Sequence, residues 1–85
     1  MYHIIITKSG QRDLDALSHQ DFRLVDRKIL ALASNPRPRG CSKLKGRSEI
    51  FYRIRCGHYR VIYSVDDFTK TVTILEVPQR KEAYR

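Results

Sequence analysis

The sequence lacks any apolar run long enough to cross a membrane, and it contains no tryptophan. A spanning helix needs about 20 consecutive apolar residues, and the apolar residues here are spread along the chain instead. The N-terminal residues also lack the basic leader and the small-residue cleavage site of a secretory signal. We therefore expect a soluble protein that stays in the cytoplasm and has no membrane partner.

Cysteine is scarce, with only Cys41 and Cys56 in the chain. The two could in principle form one disulfide, but a reducing compartment argues against it. Neither cysteine has a second sulfur or a histidine at metal-ligand spacing, so we expect inert thiols, no metal and no cofactor. Paired carboxylates, a phosphate-cradling glycine loop and a nucleophilic triad are also missing. Asp66 and Asp67 are adjacent in a predicted turn, where solvated turn chemistry is the usual role.

Acidic residues are few relative to basic ones. Seventeen Lys and Arg stand against nine Asp and Glu, which gives a formal net charge of +8. Such an excess produces a positive field that attracts polyanions and speeds encounters with them. It predicts nucleic acid, an acidic protein, or both as partners. The alternative is that the charge only keeps the protein soluble.

The first half of the chain predicts one strand and two helices. The 85 residues suffice for a single domain, 1–85, with one modest core. A β-branched opening at 2–7 predicts a strand, and two apolar stripes at helical spacing follow it. Ser18 and Asp21 fit a capping box at the start of the second helix, which should stop near Ser34. The apolar positions of the stripes are Leu14, Leu17, Phe22, Val25, Ile29 and Leu32.

The second half changes to a period of two, which is typical of strands. Residues 50–56, 58–65 and 71–77 predict three strands joined by a tight turn at Gly57 and a turn at 66–70. The segment 41–49 is either an irregular basic loop or a short edge. We therefore predict an α+β fold in which a helix hairpin packs on one face of a four-stranded, mostly antiparallel sheet. The first strand should lie beside the last, which would otherwise be an edge.

Arginines alternate with the core residues of these strands. Arg53 and Arg55 from one strand and Arg60 from the next should share the outer sheet face, with Arg80 and Tyr84 arriving from the tail. Like charges this close repel unless an anion lies between them, so the pattern indicates a phosphate site. The alternative is that each arginine lies on an ordinary solvated face.

If the anion is RNA, guanidinium groups can stabilise the transition state as a ribose 2′-hydroxyl attacks the adjacent phosphate. No metal is required for this reaction. An aromatic residue, Tyr84, can stack on a base. The proton acceptor stays open, because arginine hardly deprotonates. His58, beside the predicted turn, is a further candidate for proton transfer, since histidine titrates near neutrality. The alternative is that it has only a structural role. The predicted RNA contacts beyond the catalytic set are Lys43, Lys45, Arg47, His58 and Lys81.

An ordered set of short motifs spans nearly the whole chain, and with it the sequence resembles the RelE branch of the RelE/ParE toxin superfamily. The motifs are Leu44-Lys45-Gly46, Tyr52-Arg53-Ile54-Arg55, Gly57-His58-Tyr59-Arg60-Val61-Ile62-Tyr63, and Val77-Pro78-Gln79-Arg80 through Tyr84.

The resemblance implies a type II toxin that enters the ribosomal A site, cuts the mRNA there, and is held inactive by an antitoxin protein. The positions of Arg60, Arg80 and Tyr84 match the family. Members commonly carry lysine at the positions of Arg53 and Arg55, where one lysine is proposed to take the proton. Two other readings stay open, namely a ParE-like gyrase poison and a catalytically impaired toxin homologue that only binds RNA.

Overall fold

The computed structural model describes residues 1–46 and 49–79, which form two helices and five strands. No helix in this part of the chain is long and apolar enough to span a membrane. The elements in chain order are β1 (His3–Ile6), α1 (Lys8–Asp15), α2 (His19–Ala31), β2 (Ser42–Lys45), β3 (Ile50–Cys56), β4 (Tyr59–Asp66) and β5 (Thr71–Glu76).

The sheet has the strand order β1-β5-β4-β3-β2. β1 runs parallel to β5, and every other neighbouring pair is antiparallel. The predicted α+β class, the meander and the pairing of the first strand with the last are confirmed. The predicted strand count of four is wrong, because part of the basic segment forms the edge strand β2. An edge strand pairs on one side only and tolerates lysines, so its apolar pattern is too weak to reveal it.

α1 lies close against β5. Thr7 caps the helix, its hydroxyl accepting a hydrogen bond from the amide of Gly10 at 3.0 Å. A Cβ on Gly10 would lie 3.0 Å from the carbonyl oxygen of Ile74, so a larger residue would push the helix and β5 slightly apart. Farther along the helix, the Asp13 carboxylate accepts a 2.8 Å hydrogen bond from the amide of Val77. These bonds fix the end of β5 relative to the helix.

α2 begins as the capping pattern predicts, though only half of the box forms. The Ser18 hydroxyl accepts from the amide of Asp21 at 3.1 Å. The Asp21 carboxylate instead accepts a 2.8 Å hydrogen bond from the Tyr59 hydroxyl, which joins the start of α2 to β4. The helix ends at Ala31, and the amide of Ser34 closes a turn onto the Ala31 carbonyl. The end thus falls slightly before the predicted one.

One face of the sheet packs against the helices. Tyr63 is fully buried there, and its hydroxyl donates a 2.7 Å hydrogen bond to the carbonyl of Pro36. Burial raises the pKa of this hydroxyl. Both cysteines are free thiols, and burial raises the pKa of Cys56. The buried apolar residues are Leu14, Val25, Ile29, Leu32, Ile54, Cys56, Val61, Tyr63, Val72, Ile74 and Val77.

Candidate functional site

Three arginines lie together on the sheet face that points away from the helices. In the β3–β4 ladder, Arg53 is opposite Ile62 and Arg55 is opposite Arg60. Directly opposed residues of an antiparallel pair share a face, and the intervening residue Ile54 is buried in the core. Arg53, Arg55 and Arg60 therefore occupy the other side, which we call the arginine face.

The arginine face concentrates positive charge, and none of its three arginines takes part in an ion pair among the described residues. Directly opposed residues have Cα atoms about 4.5 to 5.5 Å apart, so Arg55 and Arg60 repel each other. Within the described ranges 1–46 and 49–79, the ion pair that forms joins Arg37 to Asp67. It includes none of the three arginines. Their guanidinium groups are thus available to an external anion, and a phosphate with oxygens on several sides is the natural match.

The segment after β5 continues alongside β4 as far as the structure describes it. After β5, Gln79 forms an isolated antiparallel bridge with Tyr59, and the amide of Arg60 donates a 3.0 Å hydrogen bond to the carbonyl of Pro78. Gln79 is the last described residue. The predicted site residues that lie outside the described part of the chain are Arg47, Arg80, Lys81 and Tyr84.

A carboxylate that the strand pattern hides also belongs to this face. Strict alternation would turn Glu76 inward with Val72 and Ile74, but the register between β4 and β5 shifts by one residue at Ile62 and Tyr63. Past this β-bulge Glu76 is opposite Ile62 and exposed, while Val77 is buried. The sequence signal for the bulge is the step of three residues between the apolar positions 74 and 77.

The predicted lysines of β2 do not share the arginine face. Lys43 is opposite Tyr52, and Lys45 is opposite Ile50. Both lysines therefore lie on the side of the sheet opposite to Arg53. The intervening Leu44 is opposite Phe51 and lies on the arginine side. Both lysines are exposed at the sheet edge, which leaves them at the border of the site.

His58 lies in the tight turn between β3 and β4, next to Gly57. The backbone of Gly57 has a φ of 60°, a conformation that favours glycine, as the turn prediction required. His58 is exposed and follows directly on the strand ends that carry Arg55 and Arg60. It therefore borders the arginine face at the hairpin tip.

A second polar cluster, around Arg37, was not predicted. Its guanidinium donates two hydrogen bonds to the Asp67 carboxylate at 2.8 and 3.2 Å and one to the Tyr52 hydroxyl at 3.0 Å. The Tyr2 hydroxyl donates to the same carboxylate at 2.6 Å. The Arg37 guanidinium holds the pKa of Asp67 below its usual range, and Asp67 raises the pKa of Arg37.

The two turn aspartates thus differ. Asp66 accepts backbone hydrogen bonds from Phe68 and Thr69, which is the turn chemistry predicted. Asp67 instead holds the loop after α2 to the sheet through Arg37, so the prediction of a merely solvated turn is wrong for it. The cluster lies at the opposite end of β4 from Arg60. We therefore assign it a structural role.

We find no candidate metal site in the described ranges 1–46 and 49–79, where such a site would need three or more His, Cys, Asp or Glu side chains close together. Among the described residues, the groups of the arginine face nearest to one another are its three guanidinium groups and the Glu76 carboxylate.

The comparisons with known proteins agree with this fold. The family model of the ParE toxin of the type II toxin-antitoxin system, parDE, matches residues 4–84. A toxin RelE from Mycobacterium tuberculosis is 33% identical over 85 residues, covering 99% of this chain and 87% of the relative.

Solved structures give the same result. The RelE-RelB complex of Pyrococcus horikoshii includes a chain with a TM-score of 0.82 and 34% identity, covering 93% of this chain and 94% of that one. The isolated E. coli RelE toxin has a TM-score of 0.79 at 23% identity, covering 99% and 92%, and so shows the shared fold alone. The chain therefore belongs to the RelE/ParE superfamily, as a type II toxin of the RelE family.

Proposed function

We propose that this toxin is a ribosome-dependent endoribonuclease that cleaves mRNA in the ribosomal A site and so inhibits translation in the cytoplasm. The observation that carries the proposal is the opposition of Arg55 and Arg60, with Arg53 on the same face and no ion pair to any of them among the described residues. Opposed like charges destabilise a sheet. Their opposition in the sheet is explained if a phosphodiester lies between them during function.

The reaction is attack by a ribose 2′-hydroxyl on the adjacent phosphate, which leaves a 2′,3′-cyclic end. Arg53, Arg55 and Arg60 stabilise the added negative charge of the transition state. One well-placed donor of this kind is worth about 10²- to 10³-fold in rate. In this proposal Arg80 adds a further guanidinium and Tyr84 stacks on a base, which turns the backbone in line for attack.

Outlying basic residues extend the contact with RNA. We assign His58, exposed at the hairpin tip beside the arginine face, and Lys43 and Lys45, exposed on the edge strand but off that face, to backbone phosphates farther along the RNA. Arg47 and Lys81 are assigned the same role. Contacts to phosphate strengthen binding without selecting a sequence, so these residues do not set a codon preference.

The natural inhibitor is a cognate antitoxin that covers the arginine face. Relatives of this chain have been crystallised as RelE-RelB complexes, and a net charge of +8 favours an acidic partner. An extended or helical antitoxin segment laid over the sheet would shield the three arginines from RNA.

Induced expression in a bacterial host tests the proposal. We expect the wild-type chain to stop protein synthesis within minutes, measured by amino-acid incorporation, and Arg60→Ala to relieve the arrest. Arg39→Ala is the matched control, because Arg39 is an exposed arginine of the loop before β2 and lies off the arginine face. Equal arrest by the Arg60→Ala variant at equal protein levels would contradict the proposal.

A second candidate function follows from the matching family model, whose description is that of a ParE toxin. A ParE-like toxin would poison DNA gyrase and act as a binding module. The same induction experiment separates the two functions. DNA breaks and an induced damage response with normal amino-acid incorporation favour the gyrase poison, whereas an immediate translation arrest without breaks favours the nuclease.

A further inference from the structure

The proposed reaction needs a group that accepts a proton, and guanidinium groups cannot supply one. Arginine stays protonated under all ordinary conditions, so Arg53, Arg55 and Arg60 can bind the phosphate but cannot activate the attacking hydroxyl. We propose that the carboxylate of Glu76 is the general base that accepts the proton of the 2′-hydroxyl. This inference rests on the nuclease function proposed above and deepens it.

The β-bulge in β5 is what places Glu76 at the site. Ile74 and Val77 both face the core and are buried, so two successive residues, Leu75 and Glu76, lie on the outer side between them. Without the extra residue, Glu76 would point into the core behind Ile74. Bulges often re-aim a side chain next to an active site, and this one turns a carboxylate toward the arginine face.

The spacing around Glu76 suits a bound phosphodiester. Glu76 is opposite Ile62 in β4, and Arg60 lies two residues before Ile62 on the same face. Such diagonal neighbours are about 7 to 8 Å apart. Ile62 also pairs with Arg53, in the neighbouring strand β3. Arg53 and Glu76 are therefore two strand spacings apart, about 9.5 Å. We therefore place the ribose and its phosphate above Ile62 in this proposal, between the carboxylate and the guanidinium groups.

Other carboxylates of the described residues are worse placed. Asp66 lies on the same side of β4 as Arg60. However, it is six positions farther along the strand, a distance of about 20 Å. Asp21 and Asp67 are engaged by the Tyr59 hydroxyl and by Arg37. Glu76 is exposed and takes no part in the ion pair found among the described residues, so its carboxylate is available to a hydroxyl.

The step balances as a transesterification. The proton of the 2′-hydroxyl moves to the Glu76 carboxylate while the 2′-oxygen forms a bond to phosphorus. The bond between phosphorus and the 5′-oxygen of the next nucleotide breaks, and this leaving oxygen takes a proton from solvent. Glu76 then returns its proton to solvent. The arginines carry the charge of the pentacoordinate phosphorus throughout.

The test is single-turnover cleavage of mRNA in purified ribosome complexes by the wild-type chain and by Glu76→Gln. A positioned general base contributes about 10²- to 10⁴-fold, so we expect the Gln variant to cleave at least about 100-fold more slowly at saturating protein. Binding to the ribosome complex should remain or tighten, since the variant has one negative charge fewer. Glu49→Gln is the matched control, because Glu49 is exposed in the β2–β3 connection, and its rate should match the wild type.

The direction of the change separates a proton acceptor from a merely electrostatic carboxylate. If Glu76 only repels RNA, removing its charge would raise affinity and rate together, and that outcome would overturn the proposal, as would an unchanged rate. Glu76→Asp, with a shortened carboxylate, should keep more activity than Glu76→Gln. Equal thermal unfolding temperatures establish that the variants are folded. Intact mRNA with the wild-type chain would instead refute the nuclease function itself.

Discussion

Neutralising one arginine of the opposed pair should stabilise the fold while it abolishes activity. In Arg55→Gln the side chain that opposes Arg60 keeps part of its length and loses its charge. Arg55 is exposed, so the substitution removes little buried surface. We interpret the opposed pair as a phosphate-binding device that lowers stability, a trade-off that is common at functional sites.

The magnitude follows from the ladder. A directly opposed pair of charges changes the free energy of unfolding by about 0.2 to 1 kcal/mol. Two like charges lower it. For a domain of this size, about 1 kcal/mol shifts the unfolding temperature by roughly 4 to 8 °C. We therefore expect Arg55→Gln to unfold about 1 to 8 °C above the wild type at low ionic strength. The screening length falls to about 3 Å in 1 M salt, so the difference should shrink there.

Thermal unfolding followed by circular dichroism at low salt and at 1 M salt measures both effects. Arg39→Gln has the same charge change in the exposed loop before β2, and it controls for the general effect of lowering the net charge. An unfolding temperature for Arg55→Gln below that of Arg39→Gln, or a gain that survives 1 M salt, would refute the reasoning.

Two further predictions concern the scaffold. Because Arg37 lowers the pKa of Asp67 in the folded state, the ion pair stabilises the fold above the unfolded-state pKa of about 3.9 and loses this effect as pH falls through the folded value. Urea unfolding should therefore show Asp67→Asn to be less stable than the wild type at pH 7 and equal to it near pH 2. Gly10→Ala should lower the free energy of unfolding by about 1 to 3 kcal/mol, because the new Cβ would lie 3.0 Å from the backbone oxygen of Ile74. Ser9→Ala, one residue earlier on an exposed position of α1, is its control, and an equal effect of the two would contradict the close-packing argument.

Local patterns were sufficient for most of the fold. The alternation in β3 and β4 correctly assigned Ile54, Val61 and Tyr63 to the core and the three arginines to the other face. It did so because a strand with one buried face has a fixed register. The same rule failed in β5, where the bulge reverses the side of Glu76. The step of three between the apolar positions 74 and 77 is compatible with a bulge, but only the pairing with β4 shows where the extra residue lies.

Long-range polar contacts were also beyond the sequence. Arg37 lies in a proline-rich loop, 30 residues before its partner Asp67, and nothing local distinguishes it from the exposed Arg39. The rings of Tyr52 and Tyr63 stack with centroids 5.7 Å apart. The partners of their hydroxyl groups, Arg37 and the Pro36 carbonyl, depend on where the loop folds back.

The central claim is that the arginine face acts on mRNA held in the ribosome. The most direct measurement is primer-extension mapping of mRNA in purified ribosome complexes after incubation with the wild-type chain and with Arg60→Gln. We expect cuts within the A-site codon with the wild type and their loss with the variant. Intact mRNA with the wild type, or unchanged cuts with Arg60→Gln, would contradict the claim.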